Sequence, residues 1–204
     1  MRTLISAFAA LLGLNIALAL SPQCLREADL LFSAPRVQNH ITEVTTRDSV
    51  PIDHVAIFHR IGGENGMPCV IEAAPIGGVS ITPLDSFMVR HAQDSLIAAR
   101  VSCPFNAPAT ISRALAFVGR PYDFYFTPSP DSIYCSELVL LSYRSYSDEP
   151  LFSPIPMSFR NAQGVIPDFW LRHYGAIGQD VPEGEPGSNP AALFADSLIQ
   201  VISF

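Results

Sequence analysis

The sequence predicts a single domain in which closely spaced antiparallel strands, arranged as a meander or a small barrel, pack with helices. Its 204 residues are enough for one buried core and too few to require two. Hydrophobic residues make up 49% of the chain and charged residues only 15%, a composition that favours a globular interior over disorder. Short β-branched runs between glycine turns come first, and two helical patterns follow them.

The strands are predicted from short apolar runs that follow one another closely. The clearest run, residues 52–58, is apolar and β-branched apart from Asp53 and His54 at its start, which is typical of a strand buried on both faces. A glycine-rich turn separates it from a returning strand, in which one carboxylate, Glu72, interrupts the apolar residues. The predicted strands span residues 29–32, 52–58, 69–73, 79–82 and 95–101.

Two helices are predicted after the strands. The first begins at Asn106, carries apolar residues at spacings of four and seven, and ends at a glycine. The second spans residues 132–146, and Asp131 or Ser132 is expected to cap its N terminus. Cys135 therefore falls in the first turn of this helix.

Residues 1–19 are predicted to be a secretory signal peptide. They combine a positive charge at Arg2, an apolar run over residues 4–14 and a small-residue end at Ala19, after which we expect cleavage. The mature protein is then secreted or periplasmic and has no membrane span. The alternative is an uncleaved anchor, because about 18 apolar residues nearly span a bilayer. Asn15 and the small-residue end favour removal.

The rest of the chain is predicted to consist of a folded domain and a C-terminal extension. The domain is assigned to residues 20–177. Residues 178–190 are biased towards proline, glycine and acidic residues, which is typical of a mobile linker. The last segment, residues 191–204, is expected to form either a short helix packed on the domain or a strand at its edge.

Charge and motif content exclude several classes of function. The net charge is −7, from 12 Lys and Arg against 19 Asp and Glu, so no basic surface for nucleic acid is expected. The five histidines show no HExxH spacing and the cysteines no CxxC spacing, so neither a metal nor another cofactor is predicted. Serine hydrolase and nucleotide-binding motifs of the GxSxG and GxGxxG types are also absent from the sequence.

The four cysteines raise the question of disulfides in an exported protein. Cys135 has to remain a thiol if it reacts. Cys69 and Cys103 are the pair we expect to be bridged, since each lies at or near the end of a predicted strand, which leaves Cys24 over.

Three side chains at separate positions can together form a nucleophilic site. Cys135 lies near a helix N terminus, where the helix dipole and free N–H groups stabilise a thiolate; the alternative is an inert buried cysteine. A buried carboxylate such as Glu72 is costly unless it is paired, and His54 on the adjacent strand offers a partner. The alternatives are a core histidine bonded to a carbonyl group and an edge-strand glutamate that faces water. Together the three residues supply a nucleophile, a base and an orienting group.

These residues lie in segments that resemble the permuted NlpC/P60 papain-like proteins of the YiiX and YebB type. The resemblance extends from Asp29 to Tyr146 and keeps the order of the family's motifs. Asp53 replaces a serine that is frequent in the family, and Ala56 replaces a frequent glycine, which affects substrate fit rather than the proposed chemistry. The matching segments are DLLF at 29–32, DHVAI at 53–57, VIEA at 70–73, GV at 78–79, GRPYD at 119–123 and YCSELV at 134–139.

The resemblance implies a circularly permuted papain-like α+β fold, with the nucleophile helix C-terminal to the strands. It implies that Cys135 is the nucleophile, His54 the base and Glu72 the residue that orients the imidazole, while Tyr134 and Tyr122 line the substrate site. The implied activity is cleavage of a peptide or N-acyl amide bond, and export suggests cell-wall peptides as substrates. A lipid amidase or acyltransferase and a non-catalytic peptide- or lipid-binding module are the alternatives.

Overall fold

The computed structural model describes residues 22–45, 50–129 and 131–202. The predicted signal peptide, residues 1–19, lies outside these ranges. Within the described ranges, no helix is both long enough and apolar enough to cross a membrane.

A six-stranded antiparallel sheet forms the centre of the fold, in the order β4-β3-β2-β1-β5-β8. All five predicted strands are present, and the unpaired edges at β4 and β8 in the described part of the chain make this a meander and not a closed barrel. A separate two-stranded ribbon pairs β6 with β7. The strands are β1 (Leu30–Ala34), β2 (His54–Ile61), β3 (Met67–Ala74), β4 (Gly78–Pro83), β5 (Ser95–Val101), β6 (Ile155–Pro156), β7 (Pro186–Gly187) and β8 (Ile199–Val201).

Helices cover both faces of the sheet because its strands are apolar on both sides. On β2 and β3, odd-numbered residues such as Val55 and Ile57 face one side of the sheet and pack in a core with helix α4 (Cys135–Ser142). Even-numbered residues such as Phe58 and Val70 face the other side and pack in a core with helix α2 (Leu84–Arg90). The helices are α1 (His40–Thr45), α2 (Leu84–Arg90), α3 (Ala107–Ala116), α4 (Cys135–Ser142), α5 (Asp168–Gly175) and α6 (Pro190–Phe194).

The predicted helix starts are correct in one case and wrong in the other. Asn106 caps α3 by accepting a hydrogen bond from the Ala109 N–H group at 3.1 Å. Helix α4 begins at Cys135, not near Asp131 or Ser132. The preceding chain stays extended, because the Ile133 N–H group donates to the Pro121 carbonyl group at 3.0 Å.

The C-terminal segment packs on the domain. Residues 186–187 pair with β6, α6 buries Ala191 and Leu193 in the main core, and β8 extends the sheet beside β5. The two forms expected for this segment, a packed helix and an edge strand, are therefore both present.

The expected bridge between Cys69 and Cys103 is wrong, since all four cysteines are free thiols. Cys69 is on β3 and Cys103 follows β5, and two strands lie between β3 and β5. The two strands are therefore three interstrand spacings of about 4.8 Å apart, and together these exceed the ~7 Å that a disulfide can join between Cα atoms. Instead, the Cys69 thiol donates to the His59 carbonyl group at 3.2 Å, and burial raises its pKa to about 11.

Gly78, the first residue of β4, lies in close contact with the loop that leads to the nucleophile helix. Its φ is +63°, and a Cβ atom there would lie 2.2 Å from the Arg120 carbonyl oxygen, which also accepts a hydrogen bond from the Val79 N–H group. We therefore expect Gly78→Ala to lower the free energy of unfolding in urea by about 2–4 kcal/mol, through backbone strain and overpacking.

Gly77→Ala is the matched control for Gly78→Ala. Gly77 also has a positive φ, +96°, but a Cβ atom added there would have no described atom within 4 Å. This variant should lose only the strain of about 1–2 kcal/mol. Equal losses in the two variants would show that contact with the loop does not matter.

Candidate active site

Cys135 is the first residue of α4 and is buried, with 4% of its surface exposed. The N–H groups of a first helical turn have no acceptor within the helix, and the positive end of the helix dipole lies there. The Glu137 carboxylate accepts a hydrogen bond from the Tyr134 N–H group at 3.4 Å, which ties the first turn to its N-terminal end. The N–H group of Cys135 is therefore a natural hydrogen-bond donor to the oxyanion that forms when its sulfur attacks a carbonyl group.

His54 and Glu72 meet on neighbouring strands. The Nε2 atom of His54 lies 2.8 Å from the Oε2 atom of Glu72, whose side chain is fully buried. The His54 ring also interacts with the Cys135 side chain. Because Glu72 occupies Nε2, the Nδ1 atom is the ring nitrogen left to exchange a proton with the thiol.

The charges in this cluster stabilise one another. Burial alone would lower the pKa of His54, but its interactions with Cys135 and Glu72 outweigh burial and raise that pKa to about 10. Burial would likewise raise the pKa of Glu72, but the hydrogen bonds and charge of His54, together with Arg90, lower it to about 2. At neutral pH the site therefore holds an imidazolium beside the sulfur, which is the partner that a thiolate nucleophile requires.

Two further side chains, which were not among the predicted site residues, hold Glu72. The Thr82 hydroxyl donates to the Glu72 Oε1 atom at 2.7 Å, and the Arg90 guanidinium contacts the same oxygen. Thr82 could have been found from strand pairing, since Ser80 lies opposite Glu72 on β4 and Thr82 is the next residue on that face. Arg90 ends α2, which was not among the predicted helices, so no local sequence signal pointed to Arg90.

Asp53 lies beside the catalytic candidates, and its two carboxylate oxygens differ in their surroundings. Its Oδ2 atom accepts a hydrogen bond from the Asn39 amide at 2.6 Å, whereas its buried Oδ1 atom has no partner among the described residues. Burial raises the pKa of Asp53, although the bond from Asn39 and the charge of His54 act in the opposite direction.

His91 completes a group that could in principle hold a metal ion. Ligand atoms of His54 on β2, Glu72 on β3 and His91, which follows α2, all lie within 4.8 Å of one another. No short sequence motif would reveal this set. The fit is poor, however. A cation would displace the bond between His54 and Glu72 and would lie beside the Arg90 guanidinium, and His91 already binds Asp94 at 2.8 Å. We therefore assign the cluster to an ion-pair network and derive no step through a metal.

Both tyrosines expected at the substrate site line a cavity beside Cys135, which we call the Cys135 cavity. The Tyr134 hydroxyl accepts a hydrogen bond from the Ser188 N–H group at 3.1 Å, so the C-terminal segment fixes this ring. Tyr122 and Asp53 also border a second, more polar hollow around His54 and Glu72. The apolar side chains of the Cys135 cavity are Ile41, Val44, Tyr122, Phe126, Tyr134, Met157, Phe159, Trp170 and Pro190.

Comparisons with known proteins agree with this architecture. A family model described as a permuted papain-like amidase enzyme, YaeF/YiiX, C92 family, matches residues 25–202. Among solved structures, the chain is similar to the crystal structure of metalloprotein YiiX from Escherichia coli O157:H7, with a TM-score of 0.69 and 22% sequence identity over 87% of this chain and 96% of that one. At this identity the likeness supports the fold alone. No curated protein matches the chain significantly.

Proposed function

We propose, from the premise that this chain belongs to the permuted papain-like amidase family, that it hydrolyses an amide bond through Cys135, His54 and Glu72. Membership makes the chain an enzyme with cysteine hydrolase activity and, with the YiiX likeness, confirms the predicted permuted papain-like α+β fold. The observation that carries the proposed site is the position of one buried imidazole, which interacts with the Cys135 side chain and lies 2.8 Å from the Glu72 carboxylate.

Acylation follows from this arrangement. The Cys135 thiolate attacks the carbonyl carbon, a C–S bond forms, and the negative charge moves to the carbonyl oxygen, where the Cys135 N–H group donates to it. The His54 imidazolium then gives its Nδ1 proton to the amide nitrogen. The C–N bond breaks, the amine leaves, and a thioester remains on Cys135 beside a neutral imidazole.

Deacylation restores the starting charges. Neutral His54 takes a proton from a water molecule whose oxygen attacks the thioester carbon. The second tetrahedral intermediate collapses, the C–S bond breaks, and the carboxylic acid leaves. Glu72 accepts the Nε2 hydrogen bond throughout, which keeps Nδ1 directed at the reacting atoms and stabilises the imidazolium each time it forms.

We further propose that the enzyme is exported and that its substrates are peptides or N-acyl amides, with cell-wall peptides as the candidate that export favours. The charged start, apolar run and small-residue end of residues 1–19 support export. N-terminal sequencing of the secreted protein tests it, with Leu20 as the expected first residue and an intact N terminus as the contrary result.

Selective alkylation tests the proposed site without knowledge of the substrate. At pH 6, iodoacetamide should label buried Cys135 faster than exposed Cys24, because the imidazolium of His54 favours the reactive thiolate. In His54→Ala the labelling rate of Cys135 should fall at least about tenfold while that of Cys24 stays constant. Labelled peptides are quantified by mass spectrometry. Labelling of Cys24 alone in the unmodified protein would refute the site.

A further inference from the structure

The bond between His54 and Glu72 fixes one end of the imidazole but not its plane. Glu72 bonds Nε2, and the Nε2–H bond of a histidine points largely along the direction of its Cβ–Cγ bond, whereas the Nδ1–H bond points across it. Rotation about Cβ–Cγ therefore redirects Nδ1–H more than Nε2–H, and histidine has only broad preferences for this torsion. A contact with the face of the ring is needed to keep Nδ1 directed at Cys135.

His91 supplies a contact of this kind. Its ring lies nearly parallel to that of His54, with 10° between the planes and 5.5 Å between the centroids, which is within the range of offset-stacked aromatic rings. Phe87 also contacts His54, but its ring centroid is 6.2 Å away and its plane is tilted by 34°. Of these two contacts in the described ranges, His91 therefore gives the closer and flatter one. A rotation of the His54 ring would break this stack or drive a ring edge into His91.

His91 can restrain its neighbour because two bonds anchor its own ring. Its Nδ1 atom lies 2.8 Å from the Asp94 carboxylate and 3.0 Å from the Ser33 hydroxyl oxygen. Ser33 donates its own proton to Asp94 at 2.9 Å, so both neighbours of Nδ1 are acceptors and Nδ1 carries the proton. Ser33 is fully buried and lies directly opposite His54 in the pairing of β1 with β2. The anchor and the His54 ring are therefore on the same face of the sheet.

The ring that His91 presents to His54 is uncharged at neutral pH. Burial lowers the pKa of His91, and the charges of His54 and Arg90 lower it further, although the hydrogen bond to Asp94 acts in the opposite direction. A charged His91 would repel the His54 imidazolium beside it. A neutral ring instead stacks on that imidazolium without opposing its charge.

We propose that His91 is a positioning residue for amide hydrolysis: its anchored ring restricts the rotation of the His54 imidazole, so that Nδ1 stays directed at Cys135. His91 acts through His54 and takes no proton from the substrate. The roles of His54 and Cys135 come from the proposed function, on which this inference rests. In this arrangement Glu72 fixes one end of the imidazole and His91 fixes its plane.

The pH dependence of Cys135 alkylation tests this role, because it reports how well His54 supports the thiolate. In the unmodified protein, iodoacetamide labelling of Cys135, quantified by mass spectrometry, should reach half its maximal rate well below about pH 8.5, the ordinary pKa of a free thiol. In His91→Ala we expect this midpoint to rise by about one pH unit, because Nδ1 no longer stays directed at the sulfur. An unchanged midpoint would overturn the proposal.

His91→Phe separates the effect of the ring from that of its nitrogens. Phenylalanine keeps a flat ring in the stack, and packing on Phe87, whose ring centroid is 4.7 Å from that of His91, holds it there. We expect His91→Phe to recover about half or more of the shift seen in His91→Ala. An equal shift in both variants would show that His91 acts by its nitrogens and would overturn the proposal. The matched control is His59→Ala, which removes a second histidine bonded to a carboxylate at 2.8 Å on β2 and should leave the midpoint unchanged.

Cys69 reports in the same experiment on the packing of the fold. It is buried, and burial raises its pKa to about 11, so it should stay unlabelled in every variant that keeps the native packing. Labelling of Cys69 as fast as exposed Cys24 in His91→Ala would show a general packing defect and would overturn the positioning role. A free-thiol midpoint for Cys135 in the unmodified protein would refute the proposed function and this inference together. A low midpoint that His91→Ala does not shift would overturn this inference alone.

Discussion

Replacing Cys135 by alanine is expected to abolish amide hydrolysis, with kcat lowered at least about 10⁴-fold. Without the sulfur no acyl-enzyme can form, and the remaining N–H donor and His54 can only bind and polarise the substrate. The measurement is release of 7-amino-4-methylcoumarin from its N-acetyl-leucyl amide. Mass spectrometry of the unmodified protein should also show a transient acyl adduct on the peptide that contains Cys135.

Two variants make this result specific. Cys24→Ala removes an exposed cysteine far along the sequence from the site and should leave kcat within about twofold, as surface substitutions usually do. Cys135→Ser keeps the shape of the side chain but replaces the thiol by a weaker nucleophile and should be nearly as inactive as the alanine variant. Residual hydrolysis by Cys135→Ala at the level of the unmodified protein would sink the nucleophile assignment.

The sequence predicted that His54 and Glu72 lie close together because burial and strand order constrain their positions strongly. A carboxylate inside an apolar strand needs a partner, and the hairpin from β2 to β3 leaves few candidates. The observed register pairs Ile57 with Ile71, so one further step places Ala56 opposite Glu72. His54 is then on the same face, one diagonal position away, where its ring can reach the carboxylate.

The residues that the sequence did not reveal are those that tertiary packing supplies. Helix α2 is only seven residues long, and no side chain of the described residues caps its N terminus, so helix propensity gave no clear prediction of it. Its packing on the sheet nevertheless brings Arg90 to Glu72 and His91 to His54, whose ring centroids are 5.5 Å apart. The wrong disulfide has a related cause, because a position at a strand end does not show how many strands lie between two cysteines.

Glu72→Gln is expected to lower both stability and activity, because it removes one buried charge and leaves two cations without their anion. The folded-state pKa of Glu72 is about 2, below the ordinary value of 4.5. A lowered carboxyl pKa stabilises the folded state above pH 4.5, and this contribution is lost as pH falls from 4.5 towards 2. The shift corresponds to about 3 kcal/mol. We also expect kcat/KM to fall about 10–100-fold, since His54 loses its orienting charge.

The pH dependence of unfolding distinguishes this ion pair from a general packing defect. Urea unfolding should show a deficit of about 3 kcal/mol for Glu72→Gln near pH 6, and the deficit should shrink below pH 4.5 as the native carboxylate protonates in the reference protein. The raised pKa of His54, about 10, acts in the opposite sense: its contribution is complete below pH 6.5 and is lost as pH rises through 10. The unmodified protein should therefore lose stability at both extremes.

Glu27→Gln provides the control, because it alters a second glutamate–histidine pair of equal length. Glu27 lies 2.8 Å from His59, but its side chain is 38% exposed, whereas that of Glu72 is fully buried. Water screens the exposed pair, so this variant should lose at most about 1 kcal/mol and keep its activity. The contrary result is the same loss of stability with the same pH dependence in both variants. Burial would then not explain the strength of the bond between Glu72 and His54, and the electrostatic account of the site would fail.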